Sequence, residues 1–105
     1  MEGEYNLLVS SRAEQRLDAL LDYLLNEWGF QVQQNFLDDF QHCISIIRRN
    51  PYSFPVTLQD KTIRQCVVTP QNKLYYTVQN RDIIILSLED TRMNPNKVWN
   101  ELQAD

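Results

Sequence analysis

Charged side chains gather at the ends of two predicted strands in the second half of this chain. Arg64 follows Ile63 at the start of one strand, and Asp90 and Arg92 stand just after the apolar run Asp82–Leu88. A guanidinium group can hold a carboxylate through two parallel hydrogen bonds, or it can bind a phosphate or an acidic surface. The sequence therefore predicts either a structural clamp, through an Arg64–Asp90 or Asp90–Arg92 ion pair, or a surface that binds a partner.

The other ionisable residues form no catalytic or metal-binding pattern. His42 is the single histidine, and we interpret it as a surface side chain because no serine or cysteine nucleophile is predicted nearby. The acid pairs Asp38-Asp39 and Glu89-Asp90 are adjacent in sequence, so their side chains point apart on a helix or a strand. Neither pair makes a ready metal site. We therefore expect no metal and no cofactor.

Length and cysteine usage indicate a small protein of the cytoplasm. The 105 residues fit one domain, residues 1–105. Cys43 and Cys66 lie in apolar stretches without a C-x-x-C motif, and we interpret both as core thiols in a reducing compartment. The chain shows no signal-peptide pattern and no apolar run near the roughly 18 residues that span a bilayer. We expect a soluble, cytoplasmic protein that does not bind membranes.

Charge is divided unevenly along the chain, whose formal net charge is −4. Residues 1–47 carry eight carboxylates against two arginines, whereas residues 48–105 carry eight cations against six carboxylates. A nucleic-acid-binding domain is expected to be clearly basic. Any contact with RNA or DNA must therefore be local and lie in the second half.

Two helices are predicted in the first half. Ser11 begins the sequence S-R-A-E, a capping box with Glu14, and apolar residues then recur every three or four positions as far as Trp28. Gly29 is a predicted terminator, and a second helix over about residues 31–49 ends before Pro51. Because the connection at Gly29 is short, we expect an antiparallel helical hairpin.

Strand patterns occupy Glu4–Val9, Ile63–Thr69, Lys73–Gln79 and Asp82–Leu88. Short turns make the last three an antiparallel meander. The most apolar strand, Asp82–Leu88, is expected to be a central strand of the sheet. Simple alternation gives Asp90 and Arg92 the same side of the sheet as Leu86 and Leu88.

A short final helix is predicted to begin at Asn94-Pro95 and to carry Val98, Trp99 and Leu102. The predicted fold is α+β, in the order β-α-α-β-β-β-α. A helical hairpin packs on one face of an antiparallel sheet, and the opposite face of the sheet is partly open.

The order and spacing of several motifs resemble the RelE/ParE superfamily of toxins from bacterial type II toxin–antitoxin, or plasmid stabilisation, systems. These motifs are A-x-x-x-L-x-x-L-L-x-Y-L-x-x-x-W from Ala13 to Trp28, the Asn50-Pro51 helix end, Ile63-Arg64, and I-L-x-L-x-D-T-R-x-N-P from Ile85 to Pro95. The resemblance is strongest to ParE-like members.

The resemblance implies a toxin that is neutralised by a short cognate antitoxin in a hetero-oligomer. ParE-like members poison DNA gyrase without chemistry of their own, and the acidic composition favours this mode. The alternatives are a RelE-like endonuclease that cuts mRNA on the ribosome, which charge makes less favourable, and an inactive relative that only binds antitoxin. The resemblance makes Arg64, Asp90 and Arg92 candidates for target binding, and it makes Val98 and Trp99 candidates for antitoxin binding.

Overall fold

The computed structural model describes residues 5–92 and 100–102. Its elements are β1 (Asn6–Val9), α1 (Ser11–Trp28), α2 (Phe30–Arg49), β2 (Ile63–Thr69), β3 (Asn72–Gln79) and β4 (Asp82–Asp90). Residues 100–102 are also helical. The predicted helix start at Asn94-Pro95 lies outside the described residues. In the described part of the chain, neither long helix is apolar enough over a sufficient length to cross a bilayer.

Helix α1 is capped one residue earlier than the sequence predicts. The Ser10 hydroxyl accepts a hydrogen bond from Ala13 N–H at 3.1 Å, and it donates one to Leu86 O at 2.8 Å. The prediction of a Ser11 cap is therefore wrong. Ser10 can bond the first turn and the neighbouring strand at once, so the start of α1 is fixed directly against β4.

The helical hairpin turns at Gly29, as the sequence predicts. Gly29 has φ +95°, a conformation that strains residues with a Cβ atom. Its N–H bonds to Leu24 O and Leu25 O at 3.0 and 3.1 Å, which satisfies the last carbonyls of α1. The Gln33 side chain then donates to Leu21 O at 3.1 Å and ties the start of α2 back to α1.

Four strands form one mixed sheet in the order β1-β4-β3-β2. The antiparallel meander is confirmed, with β4 at the centre of the sheet. The first strand lies parallel to β4 at the edge, in register from Asn6 opposite Asp82 to Val9 opposite Ile85. The helices cover one face, and the core between the two layers includes Phe36, Ile47, Leu74, Tyr76 and Ile83.

A β-bulge in β4 changes which side chains face the helices. Tyr76 pairs with Ile85 but Tyr75 pairs with Ser87, so Leu86 is an extra residue. Ser87 and Glu89 consequently point to the face away from the helices, which we call the open face. Leu88, opposite Leu74, lies in the core. The predicted shared side of Leu86 and Leu88 is wrong because simple alternation ignores the bulge.

The core contains two ionisable side chains, Cys66 and Tyr76, whose pKa values are raised. Burial, with the adjacent Cys43 thiol, raises the pKa of Cys66 from 9.0 to about 12. Burial also raises the pKa of Tyr76 from 10.0 to about 12. The Tyr76 hydroxyl donates to Pro51 O at 2.6 Å, which fixes the loop after α2 on the sheet.

The raised pKa values of Cys66 and Tyr76 predict that the protein becomes less stable in alkaline solution. The unfolded chain releases both protons at about their ordinary pKa values, whereas the folded protein retains them to about pH 12. The contribution of these two groups to the free energy of unfolding should therefore be constant below pH 9 and fall as the pH rises from 9 to 12. Urea unfolding of wild type, Tyr76→Phe and Cys66→Ala at pH 8 and pH 11 measures the effect. Each variant should lose less stability than wild type between these pH values, and an equal loss in all three would contradict this assignment.

Candidate functional site

The end of β4 is fixed by local hydrogen bonds. Asp90 accepts from the Arg92 backbone N–H at 2.8 Å, from its Nε at 3.0 Å and from its Nη2 at 2.6 Å. Thr91 bonds through its N–H to Gln71 O and through its hydroxyl to Pro70 O, both at 2.8 Å. The polar sequence after the apolar strand thus anchors β4 to the turn between β2 and β3.

The Asp90–Arg92 pair is also exposed. The side chain of Arg92 is 80% accessible and that of Asp90 is 35% accessible. Hydrogen bonds from Arg92 lower the pKa of Asp90 to about 2. At this exposure an ion pair contributes little to stability, so the pair is a local clamp whose guanidinium remains within reach of another molecule.

Arg64 is held on a different part of the molecule. Its Nη1 donates to Tyr52 O at 3.2 Å and to Phe54 O at 2.5 Å, and its guanidinium stacks 5.2 Å from the centre of the Tyr52 ring. The structure therefore brings Asp90 and Arg92 together but does not place Arg64 in an ion pair with Asp90. Arg64 instead secures the loop that follows α2.

A buried ionic cluster occupies the open face where α1 crosses β4. Arg12 donates through Nε to Ser87 Oγ at 3.1 Å, and through Nε and Nη2 to Glu89 Oε2 at 3.2 and 2.9 Å. The Ser87 hydroxyl donates to the same carboxylate oxygen. The side chain of Glu89 is only 2% accessible, whereas that of Arg12 is 17% accessible. Glu89 Oε1 is buried and has no hydrogen-bond partner among the described residues.

The cluster extends to the helical residues near the end of the chain. Arg16 Nε lies 3.7 Å from Glu89 Oε2. Glu101 contributes a second carboxylate, 3.8 Å from Arg12 Nη2 and 3.7 Å from Arg16 Nη2. We call these residues, together with Ser87, the Arg12 cluster. Its two guanidinium groups face two carboxylates, so its formal charges balance.

A cavity of about 790 Å³ with both polar and apolar lining residues lies beside the Arg12 cluster on the open face. Its lining includes Arg12, Asp60, Thr62, Thr77 and Gln79. The Thr77 hydroxyl donates a hydrogen bond to Thr62 O at 2.6 Å, so its proton is already engaged within the protein. Nearby, burial and then the negative charge of Glu89 raise the pKa of Tyr75. This phenol is thus held neutral.

These side chains provide no evident set for acid–base catalysis on RNA. A nucleic-acid backbone is bound by cations that neutralise its phosphates, but Arg12 and Arg16 already face carboxylates. His42 is exposed on α2. Among residues 5–92 and 100–102, no three His, Cys, Asp or Glu side chains group so as to hold a metal ion.

An apolar groove separates the helices from the edge strand β1. It has a volume of about 220 Å³ and is lined by Leu7, Val9, Ala13, Leu17, Phe40, Gln41, Ile44, Ile85 and Leu88. Val9, which lines it, is 49% exposed. The groove thus places exposed apolar surface beside β1, the strand at the edge of the sheet.

The free edge of β1 lies beside the same groove. Asn6 N–H and Ser10 N–H donate to Arg81 O and Ile85 O at 2.7 and 2.9 Å. Because a parallel strand bonds its neighbour through alternate residues, the N–H and C=O groups of Leu7 and Val9 point away from β4. Such an edge can pair with a strand of another chain.

Sequence reasoning located one of the two ionic features. It considered the Asp90–Arg92 pair but missed Arg12 and Glu89, which are 77 residues apart. The only signal in the sequence was the position of Arg12 in the first turn of a predicted helix. This position does not identify Glu89 as its partner. Val98 and Trp99 lie outside the described residues, so their antitoxin-binding role stays a prediction.

The family comparison matches most of this chain. The model described as "ParE toxin of type II toxin-antitoxin system, parDE" matches residues 7–95. This range includes the helical hairpin, the four strands and the Asp90–Arg92 pair. The comparison with curated proteins gives no significant match.

Solved structures of toxin–antitoxin proteins share the fold. A chain of the chromosomal ParDE system from P. aeruginosa has a TM-score of 0.71 at 15% identity, covering 83% of this chain and 96% of that chain. YoeB from Staphylococcus aureus has a TM-score of 0.59 at 16% identity, with coverages of 83% and 97%. A chain of the E. coli DinJ-YafQ complex has a TM-score of 0.59 at 10% identity, with coverages of 83% and 92%.

Proposed function

Because the chain belongs to the ParE toxin family of type II toxin–antitoxin systems, we propose that it acts as ParE-like toxins do, by binding and inhibiting DNA gyrase. The balanced charge of the Arg12 cluster is the main support for a protein target. Both arginines that the cluster brings to the open face oppose carboxylates, at 2.9 Å for Arg12–Glu89 and 3.7 Å for Arg16–Glu101. An RNA backbone would gain little charge neutralisation there.

We further propose that the cognate antitoxin binds at β1 and the apolar groove. An extended segment of antitoxin can form main-chain hydrogen bonds with the outward groups of Leu7 and Val9. Its alternate side chains would then enter the groove beside Leu17 and Ile44, where apolar surface is available to bury. This arrangement gives a hetero-oligomer in the cytoplasm.

Induced expression in a bacterial host tests the proposed function. We expect growth arrest with filamentation and a DNA-damage response, because a poisoned gyrase leaves broken DNA. Co-expression of the short antitoxin encoded beside the toxin should restore growth. Cell length, a damage-responsive reporter and colony counts are the measurements.

Two other outcomes would contradict the proposal. Rapid arrest of translation with cut mRNA would identify the RelE-like endonuclease activity. Unimpaired growth at confirmed expression would identify an inactive relative that only binds antitoxin. A variant of His42, such as His42→Ala, should behave as wild type because the side chain is exposed on α2 and lines neither the apolar groove nor the cleft lined by Tyr23 and Arg92.

A further inference from the structure

Large apolar side chains are concentrated at the closed end of the helical hairpin. Trp28 and Phe30 are 64% and 65% exposed, and Tyr23 is 53% exposed. Leu25 and Val32 are exposed on the same ten-residue stretch. We call these five residues the hairpin tip. Tyr23, Trp28 and Val32 line one cleft, and clustered exposed apolar surface of this kind marks interaction sites in soluble proteins.

Hydrogen bonds hold the backbone at the hairpin tip. Gly29 turns the chain with two hydrogen bonds from its N–H to the end of α1, and the Gln33 side chain bonds back to Leu21 O. A surface that is rigid before binding loses less conformational entropy when a partner docks. Tryptophan and tyrosine are also the residue types that contribute most often to binding hot spots.

A cleft of about 400 Å³ adjoins the hairpin tip. Leu20, Tyr23, Leu24, Trp28 and Val32 form its apolar side, and Gln71, Asn72, Asp90 and Arg92 form its polar side. The cleft therefore offers space for apolar side chains and hydrogen-bonding groups at its margin. The exposed Asp90–Arg92 pair belongs to this second side.

Charge on the hairpin indicates the chemistry of the occupant. Residues 17–47 contain five carboxylates and not a single lysine or arginine. An acidic surface attracts a basic partner and repels nucleic acid. Asp22 and Glu27 are exposed beside the tip, and the Arg92 guanidinium in the cleft is paired with Asp90. The tip therefore matches a protein segment that combines apolar side chains with lysine or arginine.

We propose that the hairpin tip and the adjoining cleft dock a basic, apolar segment of the protein that this toxin inhibits. The assignment of this segment to the inhibited protein rests on the proposed function. The surface is separate from the apolar groove, because Leu17 in the groove and Trp28 at the tip are eleven residues apart along α1, or about 16 Å. Target and antitoxin thus contact opposite ends of one hairpin.

The test compares two double variants that each replace two exposed apolar side chains. Trp28→Gln with Phe30→Gln alters the tip, whereas Leu58→Gln with Val67→Gln alters residues that are 98% and 59% exposed elsewhere. Binding is measured by fluorescence anisotropy with a labelled amphipathic peptide of leucine and lysine, and with its leucine and glutamate counterpart. Circular dichroism confirms that each variant is folded.

We expect the tip variant to bind the lysine peptide at least tenfold more weakly than wild type, and the control variant to bind within twofold. The tip variant should also lose growth inhibition while keeping its affinity for antitoxin within twofold. Unchanged lysine-peptide binding would overturn the proposal, as would equal binding of the glutamate peptide. Concentration-dependent dimers that form through the tip would also overturn it. If wild type fails to arrest growth, the gyrase proposal fails, but the peptide measurements still decide the docking proposal.

Discussion

Replacing Arg12 with methionine should lower the free energy of unfolding by about 3–5 kcal/mol, the usual cost of leaving a buried charge without its partner. The substitution keeps the aliphatic stem and removes the guanidinium that bonds Ser87 and Glu89. The Glu89 side chain is 2% accessible in the wild type. In the variant its carboxylate would keep a weaker ion pair with Arg16, whose Nε lies 3.7 Å from Oε2. Urea unfolding followed by circular dichroism at pH 7 measures the loss.

Arg92→Met is the matched control for this prediction. The Asp90–Arg92 pair has a closer contact, 2.6 Å, but its arginine is 80% accessible, so we expect a loss of at most about 1 kcal/mol. The double variant Arg12→Met with Glu89→Met should recover at least half of the single variant's loss, because it removes both buried charges. Similar losses for Arg12→Met and Arg92→Met would show that burial does not govern these pairs.

Val9→Asp should weaken antitoxin binding by at least 100-fold, or about 2.7 kcal/mol. Val9 lines the apolar groove and is 49% exposed in the free protein. The aspartate remains hydrated in the free toxin but would lose water beneath a bound segment, and burying a charge without a partner is costly. Isothermal titration calorimetry with the full antitoxin measures the change.

Val67→Asp is the control for the antitoxin site. Val67 lies on β2, at the opposite edge of the sheet, and is 59% exposed. This variant should bind antitoxin within threefold of wild type and should unfold with similar stability to Val9→Asp. If both variants weakened antitoxin binding equally, the result would contradict antitoxin binding at β1.

The layers of the fold could be predicted because their signals are local. Apolar residues from Ala13 to Trp28 recur with helical spacing, and Gly29 supplies the turn that makes the helices antiparallel. The strands β2, β3 and β4 follow one another with short turns, so their pairing needs no long-range information. These turns predict the meander, and the apolar composition of β4 predicts its central position, which β1 completes by pairing with it.

Other features depend on contacts that residue spacing does not encode. The sequence favours Ser11 as the helix cap, but Ser10 takes this position because its hydroxyl also bonds Leu86 O. The bulge at Leu86 moves Glu89 to the open face. There Glu89 meets Arg12, and neither residue's neighbours in sequence indicate that contact.

The two arginines singled out from sequence have different structural roles. Arg92 pairs with Asp90 two residues away, a distance at which sequence reasoning works well. Arg64 instead bonds carbonyl groups of Tyr52 and Phe54 in an irregular loop. Loop conformation has no periodic signal, so the partner of Arg64 could not be derived from the pattern.

Incubation of the purified protein with DNA gyrase and supercoiled plasmid tests the proposed mode of action most directly, with a parallel incubation with translating ribosomes. The proposal predicts that gyrase-dependent DNA breaks accumulate, that antitoxin prevents them, and that mRNA on the ribosomes remains intact. Cleavage of ribosome-bound mRNA, with gyrase activity unchanged, would contradict it.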